Sequence, residues 1–214
     1  MSNFLTSSIG KKVIMSLSGL FLILFLCVHL TVNLLLLVSP EAFNAGCDFM
    51  ALPFIKVIEP VLALGFIVHI IWASVLTIQN QKARPAKYAK RNQSQNCTWP
   101  SRNMYILGAL VLAFLALHIA TVWFNFKFGE ITDHYVFVST ILMQPVYGII
   151  YIIAAIFLGL HITHGFWSAF QTIGFSNDIW RKRLEYVAYF FACVFAVGFS
   201  IIPLYFMIFG NGIQ

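Results

Sequence analysis

The sequence predicts an all-α integral membrane protein, a single bundle of five transmembrane helices, and three observations carry that prediction. Of 214 residues 60% are hydrophobic and only 9% charged, against roughly 25% charged in a soluble domain. Five apolar runs reach the length of about 20 residues that a helix rising 1.5 Å per residue needs to cross a bilayer. The basic residues are concentrated in alternate connections between those runs.

The first run, 13–38, follows Lys11 and Lys12 and at 26 residues is too long for a signal peptide, so it counts as a span. Ala45-Gly46-Cys47 resembles the end of a lipoprotein cleavage site, but Asn44 precedes it and the apolar stretch has ended at Val38. The second run, 54–78, starts after Pro53 and stops short of Lys82; the third, 104–126, follows Arg102. The fourth, 147–170, follows Pro145, and the fifth, 187–209, follows Arg181, Lys182 and Arg183. With short connections, no repeat and no second soluble core, residues 1–214 read as one domain.

Eleven of the thirteen Lys and Arg residues fall on one face if the five spans alternate. They are Lys11 and Lys12, the set from Lys82 to Arg102 in the loop 79–103, and Arg181 to Arg183. The positive-inside rule makes this face cytoplasmic, with the N-terminus inside and the C-terminus outside. The net charge of +6 is then a topology signal, and nucleic-acid binding is not needed to explain it. The four cysteines, Cys27, Cys47, Cys97 and Cys193, form no C-x-x-C or C-x-x-C-H motif, so a heme here would be held without covalent attachment. Cys47 and Cys97 fall on opposite faces and cannot bridge.

Histidines buried in a span are costly and point to function. His29, His69 and His118 lie one each in the first three spans, and His161 with His164 in the fourth. Depth sorts them. His29, 17 residues after Lys12 and 11 before Pro40, and His118, 16 after Arg102 and 9 before Lys127, form an outer level. His69, 16 residues after Pro53 and 13 before Lys82, and His161, 16 after Pro145 and 13 before Gly174, form an inner one. Two histidines at one depth on different helices can supply both axial nitrogens of a heme iron, so the four read as ligands of two stacked b hemes inside the bundle. His161 and His164 share a helix face, and spacing alone does not choose between them. A hemeless transporter or assembly protein is the alternative of another class, but it would bring acidic residues to mid-depth, and the spans have none there.

The order and spacing of several short segments resemble the diheme cytochrome b membrane subunit of succinate dehydrogenases and quinol:fumarate reductases. They are His29-Leu-Thr-Val-Asn33, Glu41-Ala-Phe-Asn44 followed by Phe49-Met50, and Leu52-Pro53-Phe54 leading to Glu59 and His69. The central His118 and the run Leu160-His161-Ile-Thr-His164-Gly165-Phe166-Trp167-Ser168 complete the set. The resemblance implies that the first histidine of that last run, His161, is the ligand. It pairs His69 with His161 at a heme near the cytoplasmic partner and His29 with His118 at a distal one. It implies electron transfer between membrane quinone, menaquinone above all, and an iron–sulfur subunit that docks with a flavoprotein subunit on the cytoplasmic face of a bacterial inner membrane. Whether the complex forms a dimer of heterotrimers stays open. One branch of the family has a glutamate two residues before this ligand that serves a transmembrane proton route; here that position is Gly159.

The chain has no Gly-rich turn for flavin and no clustered cysteines for an iron–sulfur cluster, so chemistry on the dicarboxylate belongs to other subunits. The cytochrome b subunit of a membrane hydrogenase or formate dehydrogenase would need the same hemes with a different soluble partner. For a quinone pocket beside the distal heme the candidates are Asn33, Thr121 and Asn125, with Glu59 as the group handling protons. Against that, Asn33 and Asn125 can instead tie helix ends, and Glu59 beside Pro60 can be a helix-start charge. A second candidate region is the inner end around Ser16, Ser18, Trp167 and Gln171.

Overall fold

Capping side chains and prolines set where each apolar stretch begins to wind. A computed structural model describes residues 7–82, 98–175 and 177–210. Arg84, Lys87, Lys90, Arg91 and Cys97 of the basic loop lie outside the described residues. Helix α1 (Ser8–Leu34) starts at Ser7, whose hydroxyl accepts the Gly10 N–H at 3.0 Å, and tightens into a 3₁₀ turn at Leu35–Leu37. Ser39 caps α2 (Pro40–Met50) by accepting the Ala42 N–H, and Pro40 occupies the first turn, where a missing donor costs nothing. The turn α3 (Pro53–Lys56) leads into α4 (Ile58–Lys82), and α5 (Trp99–Arg102) precedes α6 (Met104–His118). A π-helical turn, Ile119–Trp123, joins α6 to α7 (Phe124–Phe128). Then come α8 (His134–Met143), α9 (Pro145–Thr172) and α10 (Asp178–Phe209), which contains Pro203. Gly174, at φ +87°, lets the chain leave α9 in the left-handed conformation.

Among the described residues five helical stretches are long and apolar enough to cross a membrane: Ile9–Leu37, Pro53–Lys82, Met104–Phe128, Pro145–Thr172 and Asp178–Phe209. They cover the five runs read from composition except for Val38, where the first helical stretch has already ended, and they reach beyond the runs at most other ends. The connections are richer than their lengths suggested, because α2 and α8 are helices of their own at the end of the bundle away from the N-terminus. At ten residues α8 is too short to span. It packs beside α2 on a buried cluster of Leu36, Phe43, Tyr135, Val138, Leu142, Ile202 and Phe206. Asn44 pins the two together, donating to Asp133 Oδ1 at 3.1 Å and accepting the Tyr135 N–H at 2.9 Å.

Helix α9 is the hub. It packs most extensively against α10, and also against α1 and α6, while α1 packs against α4, and α4 touches α6 only sparsely. Four spans therefore make a ring in the order α1, α4, α6, α9, open between α4 and α6, with α10 outside it against α9 and α1. The α9–α10 contact is close because it is lined by small residues, Ala155, Gly159, Ala188 and Ala192 among them. A Cβ at Gly159 would stand 2.9 Å from Ala196 Cβ and 3.0 Å from the Ala192 carbonyl oxygen. Position 159 thus faces α10, with no room there for a glutamate side chain.

Candidate functional site

In a ring of four helices the elements that do not touch are the diagonal ones, and their inward side chains meet across the middle. His29 on α1 and His118 at the end of α6 are one diagonal pair, with ring centroids 5.8 Å apart and planes at 81°. His69 on α4 and His161 on α9 are the other, at 6.5 Å and 79°. The structure brings together the same four residues that depth sorted into two levels. His164, three residues from His161, turns to Trp167 instead, its ring edge-on at 4.9 Å. His134 packs on Phe126 at 4.6 Å.

Two imidazoles sharing one metal ion at about 2 Å per metal–nitrogen bond have ring centroids about 6 Å apart. Both diagonal pairs have that spacing. Among the described residues no three or more His, Cys, Asp or Glu side chains gather as a site for a bare metal ion. A heme iron, by contrast, takes only axial ligands from the protein, and each facing pair offers two imidazoles at the spacing such a pair needs.

The surroundings orient the rings. Met15, Ser18 and Gly19, all on α1, cradle His69: the Met15 carbonyl oxygen is 3.3 Å and Ser18 Oγ 3.4 Å from its Nδ1, and Gly19 lies against Cε1. Gly108 on α6 stands in the same relation to His161. His161 Nδ1 is buried with no hydrogen-bond partner, as is His164 Nδ1. At the other level Tyr151 Oη is 3.2 Å from His118 Nδ1. Phe25 stacks on His29 at 5.2 Å, Phe199 lies 5.8 Å from it, and Phe114 stacks on His118 at 5.9 Å. These rings form an apolar wall that keeps the local dielectric low.

The candidate quinone residues are differently placed. Asn33 Nδ2 donates to the His29 carbonyl at 2.8 Å, Thr121 Oγ1 to the Leu117 carbonyl at 2.8 Å, and Asn125 Nδ2 to the Thr121 carbonyl at 2.9 Å. The donors of all three go to their own helices, and the last two brace the π-helical turn, where the regular ladder is interrupted. Glu59 is no solitary acid: Lys127 Nζ meets Oε2 at 2.6 Å and Trp123 Nε1 donates to Oε1 at 2.8 Å. This cluster joins α4 to the third span across the open side of the ring. The inner Ser16 is buried with its hydroxyl unpartnered, and Trp167 carries the Arg181 guanidinium over its ring at 5.2 Å.

Tyr151, Lys127 and Met15 escaped the sequence reading as site residues, whereas Ser18 of the α1 cradle lay in the second candidate region. A tyrosine inside an apolar span needs a partner for its hydroxyl, which was the available signal for Tyr151; Met15 acts through its backbone and leaves none. No family model matches the chain, and neither does any curated protein or any solved structure.

Proposed function

We propose that this chain is the membrane-anchoring diheme cytochrome b subunit of a succinate:quinone oxidoreductase or quinol:fumarate reductase. The observation that carries the reading is the pair of facing histidines on each diagonal of the four-helix ring, at 5.8 and 6.5 Å between centroids. His29 with His118 and His69 with His161 would hold the two b hemes, which supply one-electron chemistry when bound. The rest of the chain fixes ring orientation, excludes water with Phe25, Phe114 and Phe199, and leaves the dicarboxylate to a flavoprotein subunit. An iron–sulfur subunit docks on the basic, cytoplasmic face of a bacterial inner membrane, and quinone, menaquinone by preference, reacts at the opposite end near Glu59.

The test is the absorption spectrum of purified protein and of single histidine variants. His29→Ala and His118→Ala should remove the same heme signal, His69→Ala and His161→Ala the other, and His164→Ala neither. A wild-type chain that binds no heme, or variants of His29 and His69 that remove one common signal, would refute the proposal. Copurified flavoprotein and iron–sulfur subunits with quinol-dependent fumarate reduction or succinate oxidation would separate it from a hydrogenase or formate dehydrogenase subunit.

A further inference from the structure

We infer that Tyr151 is a positioning residue for His118, fixing the tautomer and donor strength of that imidazole and so setting the midpoint potential of the outer heme alone. The inference rests on the axial-ligand reading above. Tyr151 is on α9, ten residues before His161. One helix therefore supplies a ligand to the inner pair and a support to the outer one.

Geometry restrains the phenol closely. Its hydroxyl is 3.2 Å from His118 Nδ1. Phe114 stands edge-on to the Tyr151 ring at 4.9 Å and 90°, while stacking on His118 at 26°. A neutral imidazole carries one proton. If Nε2 is the ligand atom, that proton is on Nδ1, which makes Nδ1 the donor and the Tyr151 oxygen the acceptor. Donation to an acceptor shifts electron density toward Nε2, strengthens the ligand and favours oxidised iron.

The other three histidines differ. His69 Nδ1 has the Met15 carbonyl oxygen at 3.3 Å, an acceptor that no side-chain substitution removes. His161 Nδ1 has no partner. The ring nitrogens of His29 face Asn33 Nδ2, itself a donor, at 3.4 and 3.5 Å. Among the described residues, only at His118 is the one oxygen within reach of Nδ1 a side chain's, so only the outer level is tunable this way.

The experiment is Tyr151→Phe in the holoprotein, which keeps the ring against Phe114 and removes the hydroxyl. It is read by redox titration of both hemes and by their electron paramagnetic resonance signals, assigned with His29→Ala and His69→Ala. Two hemes per chain should remain and the inner potential should stay put. The outer potential should rise, with its oxidised-to-reduced equilibrium shifted about tenfold, about 59 mV for a one-electron couple. Its resonance should change as well. Selective loss of the outer heme would be the same effect carried further. Equal shifts of both hemes, loss of both, an unchanged outer potential, or the same shift from Phe114→Leu, which leaves the hydroxyl in place, would overturn the inference. Wild-type protein without heme would overturn the ligand reading itself, and is seen before any variant is made.

Discussion

Gly19→Ala tests how tightly the inner histidine pair is built, because two opposite effects of one methyl group can be read separately. On α1 the backbone at Gly19 touches the His69 ring, and an added Cβ would lie 3.1 Å from Cε1 and 3.4 Å from Nδ1. Carbon atoms in comfortable contact sit at about 3.5–4.0 Å, so the ring must retreat by about 0.4 Å or more. It cannot do so freely: Nδ1 already reaches 3.3 Å to the Met15 carbonyl oxygen, one turn away on the same helix. Overpacking of this kind costs about 1–3 kcal/mol, and even the lower figure weakens a site by about fivefold. In a helix, however, Ala is favoured over Gly by about 1 kcal/mol. On the proposed diheme reading, the expected result is a chain no more resistant to thermal unfolding than wild type, the helix gain at best offsetting the overpacking, whose inner heme is lost about fivefold more readily on dilution, followed by absorption, with the outer heme unaffected. Gly108→Ala is the matched control, since its Cβ would meet His161 Cε1 at 3.4 Å, an ordinary contact, and it should leave both hemes in place. Full retention of the inner heme in Gly19→Ala, or a larger loss in Gly108→Ala, would refute the reasoning.

Three further outcomes can be measured. Glu59→Gln should leave both hemes while quinone-linked turnover falls and dye-linked activity of the soluble subunits survives; equal loss in Lys127→Gln would assign the effect to the ion pair, whose half-exposed partners contribute about 0.2–1 kcal/mol, and not to proton handling. Asp133, outside the spans, has its carboxyl held below the usual range first by the Val136 N–H and then by Asn44. A depressed pKa stabilises the fold above the unfolded-state value and is lost as pH falls, so melting of the α2–α8 end, followed by hydrogen exchange, should ease below about pH 4. Asp133→Asn should flatten that dependence, and an unaltered pH profile would exclude it. For topology, Cys97 should react with an impermeant maleimide only from the cytoplasmic side; Cys47, whose thiol burial and then Asp48 push up to about 11, should react slowly from either. Labelling of Cys97 from outside alone would invert the orientation.

The legible part of this protein was what one-dimensional spacing controls. Span number follows from apolar run length, because lipid satisfies no backbone group and only a full helix can cross. Histidine depth follows from counting residues to the nearest charge or proline, because a helix rises by a constant step. Helix starts at Ser39-Pro40 and Asp133 were in principle visible in their caps, yet α2 and α8 were passed over because apolar length was the criterion and both are short.

Which helices are diagonal was not readable, since it depends on the small-residue seam between α9 and α10, which makes α9 the hub and leaves α4 and α6 apart. That arrangement turns His161 toward His69 and His164 toward Trp167, a choice that their spacing of three residues leaves open. It also spends Asn33, Thr121 and Asn125 on their own backbones and gives Glu59 a partner 68 residues away. The sequence by itself determined five helices long and apolar enough to span a membrane, with histidines at two levels, because rise and hydrophobic length are properties of one helix. Only the tertiary structure decided which rings face each other and which polar groups are already taken, because those depend on side chains from different helices meeting in space.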